Sequence, residues 1–261
     1  MELSTPARTI EINCVEDGVV SLQICTDEYP HIGPSFVPQL AEAFEKLTVD
    51  KGVRAIILEG GQRYFSAGGS REDLLAADVQ SDGLSYVAEV PRLLLSLPVP
   101  TVAAMAGHAI GGGFMLGLWC ESAVLAEESL YGVNFMALGF TPGMGATALL
   151  EETVGAPLAR ELLFTGRIIK GRELKAAGGP LAYAVVPRAA ARDRAISIAR
   201  EMAAVPRAAL LLLKLRLAAR RRALLEAAVR EEHMLQEVLF AHEATRLHIE
   251  EHYRASDEIS I

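Results

Sequence analysis

Two segments of this chain share one plan. Val53-Arg54-Ala55-Ile56-Ile57-Leu58-Glu59-Gly60 and Pro100-Thr101-Val102-Ala103-Ala104-Met105-Ala106-Gly107 are short apolar runs closed by glycine. A run of that length without polar alternation reads as a strand buried on both faces. A third run, Glu121-Ser122-Ala123-Val124-Leu125-Ala126, has the same character, and helical stretches lie between the runs near 84–97 and 111–119. Strand alternating with helix is the pattern of a mostly parallel sheet with crossover connections, so the expected class is α/β.

The flanking segments fit this class. Residues 9–26 alternate on either side of Glu16-Asp17-Gly18, which predicts two strands joined by a turn. Phe36, Leu40, Ala43, Phe44 and Leu47 fall on one face of a helix over 36–47. Beyond about residue 157 helical segments dominate: 157–164, 171–178, 189–204 and a long stretch over 206–252. The expected organisation is a core over 1–205 and a C-terminal helical region over 206–261. With 51% hydrophobic residues in 261, the chain has enough apolar side chain for a large core.

Charge and cysteine content exclude several classes. A net charge of −8 argues against nucleic acid, whose binding needs clustered cations. The one basic cluster, Arg216, Arg220, Arg221 and Arg222, reads as a solvated helix face or as a surface for an acidic carrier protein or a phosphate. No apolar run approaches the ~18 residues of a membrane span, and no signal peptide is expected at the N-terminus. Cys14, Cys25 and Cys120 match neither a zinc site nor a disulfide framework; they read as inert core thiols of a reduced, cytoplasmic protein. No metal is expected, and without a Gly-Lys-Ser/Thr sequence the glycine turns are not phosphate loops.

Three glycine-rich turns carry the functional signal. The first, Phe65-Ser66-Ala67-Gly68-Gly69, follows the strand at 53–60. The second, Gly107-His108-Ala109-Ile110-Gly111-Gly112-Gly113, follows the strand at 100–106 and opens a helix. Small residues let a ligand approach the backbone, and two such turns after neighbouring strands are placed to aim one N–H each at a common oxygen. That is an oxyanion hole suited to the enolate of a thioester. The third turn, Gly139-Phe140-Thr141-Pro142-Gly143, begins another helix and is placed to line the same cavity.

In order and spacing these motifs resemble the crotonase (enoyl-CoA hydratase/isomerase) superfamily over roughly residues 9–205, with a looser likeness beyond. The resemblance implies a superhelix of ββα units, a helical C-terminal region that builds homotrimers, and oxyanion donors on the amides of Gly69 and Gly112. It implies an acyl thioester, on acyl carrier protein or coenzyme A, as the bound partner, and no further cofactor. Ala67, beside the first donor, is expected to contact substrate. Hydratases of the superfamily place two glutamates where this chain has Met115 and Phe135. Neither side chain takes up a proton, so hydration by the usual route is disfavoured and both are read as apolar pocket wall.

The stretch Tyr131–Thr147 resembles the decarboxylases of polyketide β-branching cassettes, which convert 3-methylglutaconyl to 3-methylcrotonyl groups on a carrier protein. The resemblance implies a late helical histidine, here His233, that holds the departing carboxylate or assists protonation of the dienolate. It also implies a lysine where this chain has Ala77; Arg71 is the substitute cation, and the segment 70–88 has the composition of a mobile lid. His108 reads as structural, and His31, His242, His248 and His252 carry no assigned role. Two other functions stay open: a dehydratase or isomerase of the same cassette, and a catalytically silent binding module.

Overall fold

The computed structural model describes residues 10–28, 30–76 and 85–253. Ala77 and the middle of the 70–88 segment lie outside them. The chain opens with a hairpin, β1 (Glu11–Glu16) and β2 (Val19–Gln23), and then α1 (Phe36–Val49). The middle repeats one unit. β3 (Ala55–Glu59) leads into β4 (Tyr64–Ser66), then α2 (Arg71–Ala76) and α3 (Ser85–Ser96); β5 (Thr101–Met105) leads into β6 (His108–Ile110), then α4 (Gly112–Leu118). β7 (Ser122–Ala126) leads into β8 (Leu130–Gly132), a short 3-10 turn over Met136–Leu138, and α5 (Ala146–Val154). There follow α6 (Ala156–Thr165), β9 (Ile168–Lys170), α7 (Gly171–Ala177), β10 (Val185–Val186), α8 (Arg188–Ala204), α9 (Arg207–Phe240) and α10 (Glu243–His252).

Each ββ pair contributes one strand to each of two sheets. The larger runs β1-β2-β3-β5-β7-β10 and the smaller β4-β6-β8-β9. All pairings are parallel except β1 with β2 and β8 with β9. This is the ββα repeat that the resemblance implied. The three long strands were legible in the sequence. In the sequence β4 and β6 lie within the first two glycine turns and β8 and β9 carry no signal, because three-residue strands are too short to show a period.

Glycine marks the corner where the chain leaves one sheet for the other. A Cβ at Gly60 would stand 2.3 Å from the Cα of Phe65, and one at Gly107 would stand 2.6 Å from the carbonyl carbon of Tyr64. No other residue fits such contacts without moving the backbone.

The large sheet is apolar on both faces because both are covered. Ala55 and Ile57 of β3, Val102 and Ala104 of β5, and Val124 of β7 pack against Ala191, Ala195, Ala199 and Ala203 of α8. The i, i+4 alanine stripe lets that helix lie close to the strands. The alternate residues, Ile56, Leu58, Ala103, Met105 and Leu125, face the main core. Each such buried Ile or Leu contributes about 2–3 kcal/mol of hydrophobic stabilisation. α9 also enters this core through Ala218 and Leu225. The stretch 206–252 is two helices, with the break at Ala241-His242.

Two expectations are corrected. Cys25 and Cys120 are buried, and burial pushes each thiol up to about 12, but Cys14 on the hairpin is exposed. The arginine cluster is not all solvated. Arg221 donates to the carbonyls of Leu118, Trp119 and Cys120 at the end of α4, at 2.7–3.0 Å, and stacks over the Trp119 ring. Arg222 donates to the carbonyl of Leu95. Both close helix ends.

His108 is structural, as read. It is buried in β6, and its Nδ1 accepts the N–H of Leu130 in β8 at 3.0 Å. Burial, with Arg188 and Arg63 nearby, pulls it down from 6.5 to about 4. The unfolded chain therefore takes up this proton before the native one does. Stability is fully present above pH ~6.5 and declines toward pH ~4, by up to about 3 kcal/mol from this group. His108→Asn keeps an acceptor near Nδ1 and removes the titration. Urea melts at pH 7 and pH 4.5 are expected to show a smaller acid loss for the variant than for the parent; equal losses would remove His108 from the account.

Candidate active site

The first and second glycine turns meet. After β4, the Ala67 N–H donates to the carbonyl of Pro30 at 2.6 Å, and the Ile32 N–H donates to the carbonyl of Gly68 at 2.7 Å. In a trans peptide the C=O and N–H point opposite ways, so the Gly69 N–H is turned away from Ile32. After β6, Gly111 has φ 56°, and its carbonyl accepts the N–H groups of Phe114 and Met115 at 3.1 and 3.2 Å. The Gly112 N–H accordingly points out of the start of α4. Gly68, at φ +76°, lies against the second turn: a Cβ there would stand 2.8 Å from the Ile110 oxygen and 3.0 Å from the Gly112 nitrogen. Among the described residues neither the Gly69 nor the Gly112 amide donates to a backbone acceptor.

Both glycines line a cavity of about 680 Å³. Ile32, Leu74, Val87, Leu138, Phe140 and Met144 give it apolar walls. One wall is α9, which presents Glu226, Val229, Arg230, Glu232, His233 and Gln236 at helical spacing. α10 and the residue after it contribute His252 and Tyr253.

The third turn is clamped to that wall. Glu232 is buried, and its carboxylate accepts the N–H of Gly145 at 2.7 Å, the N–H of Thr147 at 2.9 Å and the hydroxyl of Thr147 at 2.7 Å. It thereby caps the free amides of α5. Burial pushes the Glu232 carboxyl up, and the donors from Thr147 and Gly145 oppose that shift. One turn on, the Gln236 amide donates to the carbonyls of Thr141 and Pro142 at 3.1 and 3.3 Å. His233 sits between these anchors, half-buried, with Nε2 3.2 Å from a Glu237 oxygen. The second carboxylate of the wall, Glu226, accepts two hydrogen bonds from Arg92 at 2.8 and 2.7 Å. That guanidinium holds the Glu226 carboxyl below its usual range, and the fork geometry is the strong form of such a pair.

Of the residues singled out in the sequence, Ala67, Gly69, Gly112, Phe135 and His233 line this one cavity. Met115 does not: it is fully buried in the main core. α4 turns residue 115 inward while residue 112 stays at the cavity. Arg71 also is not among the lining residues; it is half-buried at the start of α2. The arginines on the wall are Arg92 and Arg230. His252, given no role from sequence, lines the cavity and stacks on His248 at 3.9 Å. Glu232, Gln236 and Tyr253 were missed. A glutamate beside Glu231 in a charged helix carries no mark of burial, and a tyrosine near the chain's end carries none of its partner.

The described residues hold no cluster of His, Cys, Asp or Glu suited to a metal ion. No helix among them is long and apolar enough to cross a membrane.

The sequence pattern of the enoyl-CoA hydratase/isomerase family matches residues 20–254. The chain is 35% identical over 243 residues to the bacillaene synthase decarboxylase PksI of Bacillus subtilis, covering 92% of this chain and 96% of that one. Its structure is similar to the ECH2 decarboxylase domain of CurF from Lyngbya majuscula, with a TM-score of 0.85 at 30% identity, covering 94% of this chain and all of that one. It is also similar, with a TM-score of 0.86 at 34% identity over 94% of this chain and 100% of the other, to a structure from a dehydratase/decarboxylase enzyme couple involved in polyketide β-branching.

Proposed function

Because the chain belongs to the enoyl-CoA hydratase/isomerase family, we propose that it turns an enolate-stabilising site to the loss of CO2, as a decarboxylase of polyketide β-branching. The substrate is a 3-methylglutaconyl-type thioester on acyl carrier protein, and the product is a 3-methylcrotonyl-type thioester. The thioester oxygen accepts the N–H groups of Gly69 and Gly112. The bond between C4 and the terminal carboxylate breaks, CO2 leaves, and the electron pair spreads through the double bond onto that oxygen. The dienolate then takes a proton at C4. Two preorganised donors in an apolar pocket stabilise the developing charge, and no water need be activated.

The observation that carries this reading is that, among the described residues, both carboxylates lining the cavity are already engaged. Glu232 accepts three hydrogen bonds and Glu226 is forked to Arg92, while the hydratase positions are Met115 and Phe135. A hydratase needs a free base at the water; an enolate-forming decarboxylase needs the donors and a proton source for the dienolate, with no base at water. His233 holds the departing carboxylate or delivers the proton. Arg230, exposed on the same wall three residues before His233, supplies fixed positive charge from within the cavity, the part assigned to Arg71 from sequence.

A cavity of about 680 Å³ with apolar walls supports a carrier-borne acyl thioester as substrate, with no cofactor beyond its pantetheine arm. The exposed Leu212, Leu213, Leu215 and Leu217 on α9 support assembly of copies into a trimer. A cytoplasmic setting accords with three free thiols.

The test is mass spectrometry of the carrier-bound acyl group before and after the protein is added. The expected change is loss of one CO2 from 3-methylglutaconyl-carrier. A change of one water would replace the reading with a hydratase or dehydratase. Tight carrier binding with no mass change on any thioester would make the protein a binding module.

A further inference from the structure

Tyr253 follows the last turn of α10, far from the glycine turns in sequence. Its hydroxyl nevertheless donates to the carbonyl of Gly69 at 2.9 Å. It also lines the cavity. Two observations show that this contact is built. α10 is seated by its own apolar cluster, in which Ile249 and Tyr253 pack with Leu74 of α2, Leu138, Phe140 and Phe240. The phenol is half-buried, and burial, with Glu72 and Asp73 close by, pushes it further up from its ordinary value.

The consequence follows from backbone geometry. Gly69 lies between two peptide planes. The plane before it carries the Gly69 N–H, and its carbonyl, that of Gly68, is held by the Ile32 N–H at 2.7 Å. The plane after it carries the Gly69 carbonyl, which the tyrosine holds. The Ile32 bond sets the N–H direction, but a single hydrogen bond lets that plane tilt, and a glycine has no Cβ to limit its dihedrals, so holding the second plane narrows the tilt. An oxyanion donor works by being aimed before the charge develops.

We infer that Tyr253 is a positioning residue for the oxyanion hole, bolting the second plane of Gly69 through its hydroxyl, so that α10 is part of the catalytic apparatus. The inference rests on the proposed role of the Gly69 amide, and it does not depend on which reaction follows.

The test uses the full-length protein, Tyr253→Phe, and S-(3-methylcrotonyl)pantetheine labelled with ¹³C at the thioester carbonyl. Infrared difference spectra read the polarisation of that carbonyl in the site. The parent is expected to shift the stretch to lower frequency on binding. The variant is expected to lose about half of that shift or more, with affinity for the probe within about threefold and the thermal midpoint little changed. Turnover on the carrier-borne substrate is expected to fall about tenfold in kcat, less than the 10²–10³ that loss of a donor costs, with KM nearly constant. A full shift in Tyr253→Phe overturns the inference while leaving the oxyanion hole intact. No shift in the parent overturns the oxyanion hole itself and the inference with it. A variant that fails to fold overturns it also, since the hydroxyl would then serve stability.

Discussion

Gly68→Ala is expected to cut turnover by about 10²–10³-fold in a protein that still folds. Two costs meet at this position. The residue has φ +76°, which strains any side chain by about 1 kcal/mol. The new Cβ would also press on the Ile110 oxygen and the Gly112 nitrogen from 2.8 and 3.0 Å, both main-chain atoms that have no rotamer to move. Relief comes only by parting the first glycine turn from the second, which is the distance that sets where the two amides converge. The comparison variant is Gly178→Ala: its φ is +69° and nothing lies within 4 Å of the added carbon, so it carries the strain without the clash. It is expected to lower the thermal midpoint modestly and leave turnover unchanged. If Gly68→Ala turns over at the parent's rate, the two amides are not the oxyanion donors.

His233→Ala is expected to lower kcat by about 10²–10⁴-fold, the range for losing a group that moves or stabilises a proton or charge in the transition state. Glu232 and Gln236 anchor α9 on either side of it, so truncation at residue 233 leaves the wall in place and removes only the imidazole. The kinetics distinguish its two candidate roles. A histidine that grips the carboxylate in the ground state shows in KM as well as kcat. One that protonates the dienolate lowers kcat alone, and CO2 then appears ahead of the 3-methylcrotonyl product in single-turnover experiments. Activity within about threefold of the parent would reduce His233 to a helix surface residue paired with Glu237.

Much of the molecule was legible because its signals are local. The buried face of α1, Phe36 through Leu47, follows from spacing alone, and the observed buried residues are the same five. The double-faced strands are runs too apolar for any half-exposed position. Ala67, Gly69 and Gly112 reach one cavity because motif order carries information about turns, and Phe135 and His233, singled out by the resemblance, line it as well. The failures share a cause. Met115 was assigned to the pocket by counting along the chain, but the direction of a side chain on a seven-residue helix depends on what that helix packs against. Arg71 sits two residues from a donor and is still not in the cavity lining. Adjacency in sequence does not set the side of a wall.

Sequence alone determined the α/β class, the long strands and the glycine turns, because these depend on hydrophobic period and on conformations that glycine adopts most readily. Only the tertiary structure decided the second sheet, the engagement of both wall carboxylates and the tyrosine beneath Gly69. Each of those is a contact between residues tens to nearly two hundred positions apart, and the free energy of such a contact depends on where the rest of the chain has already folded.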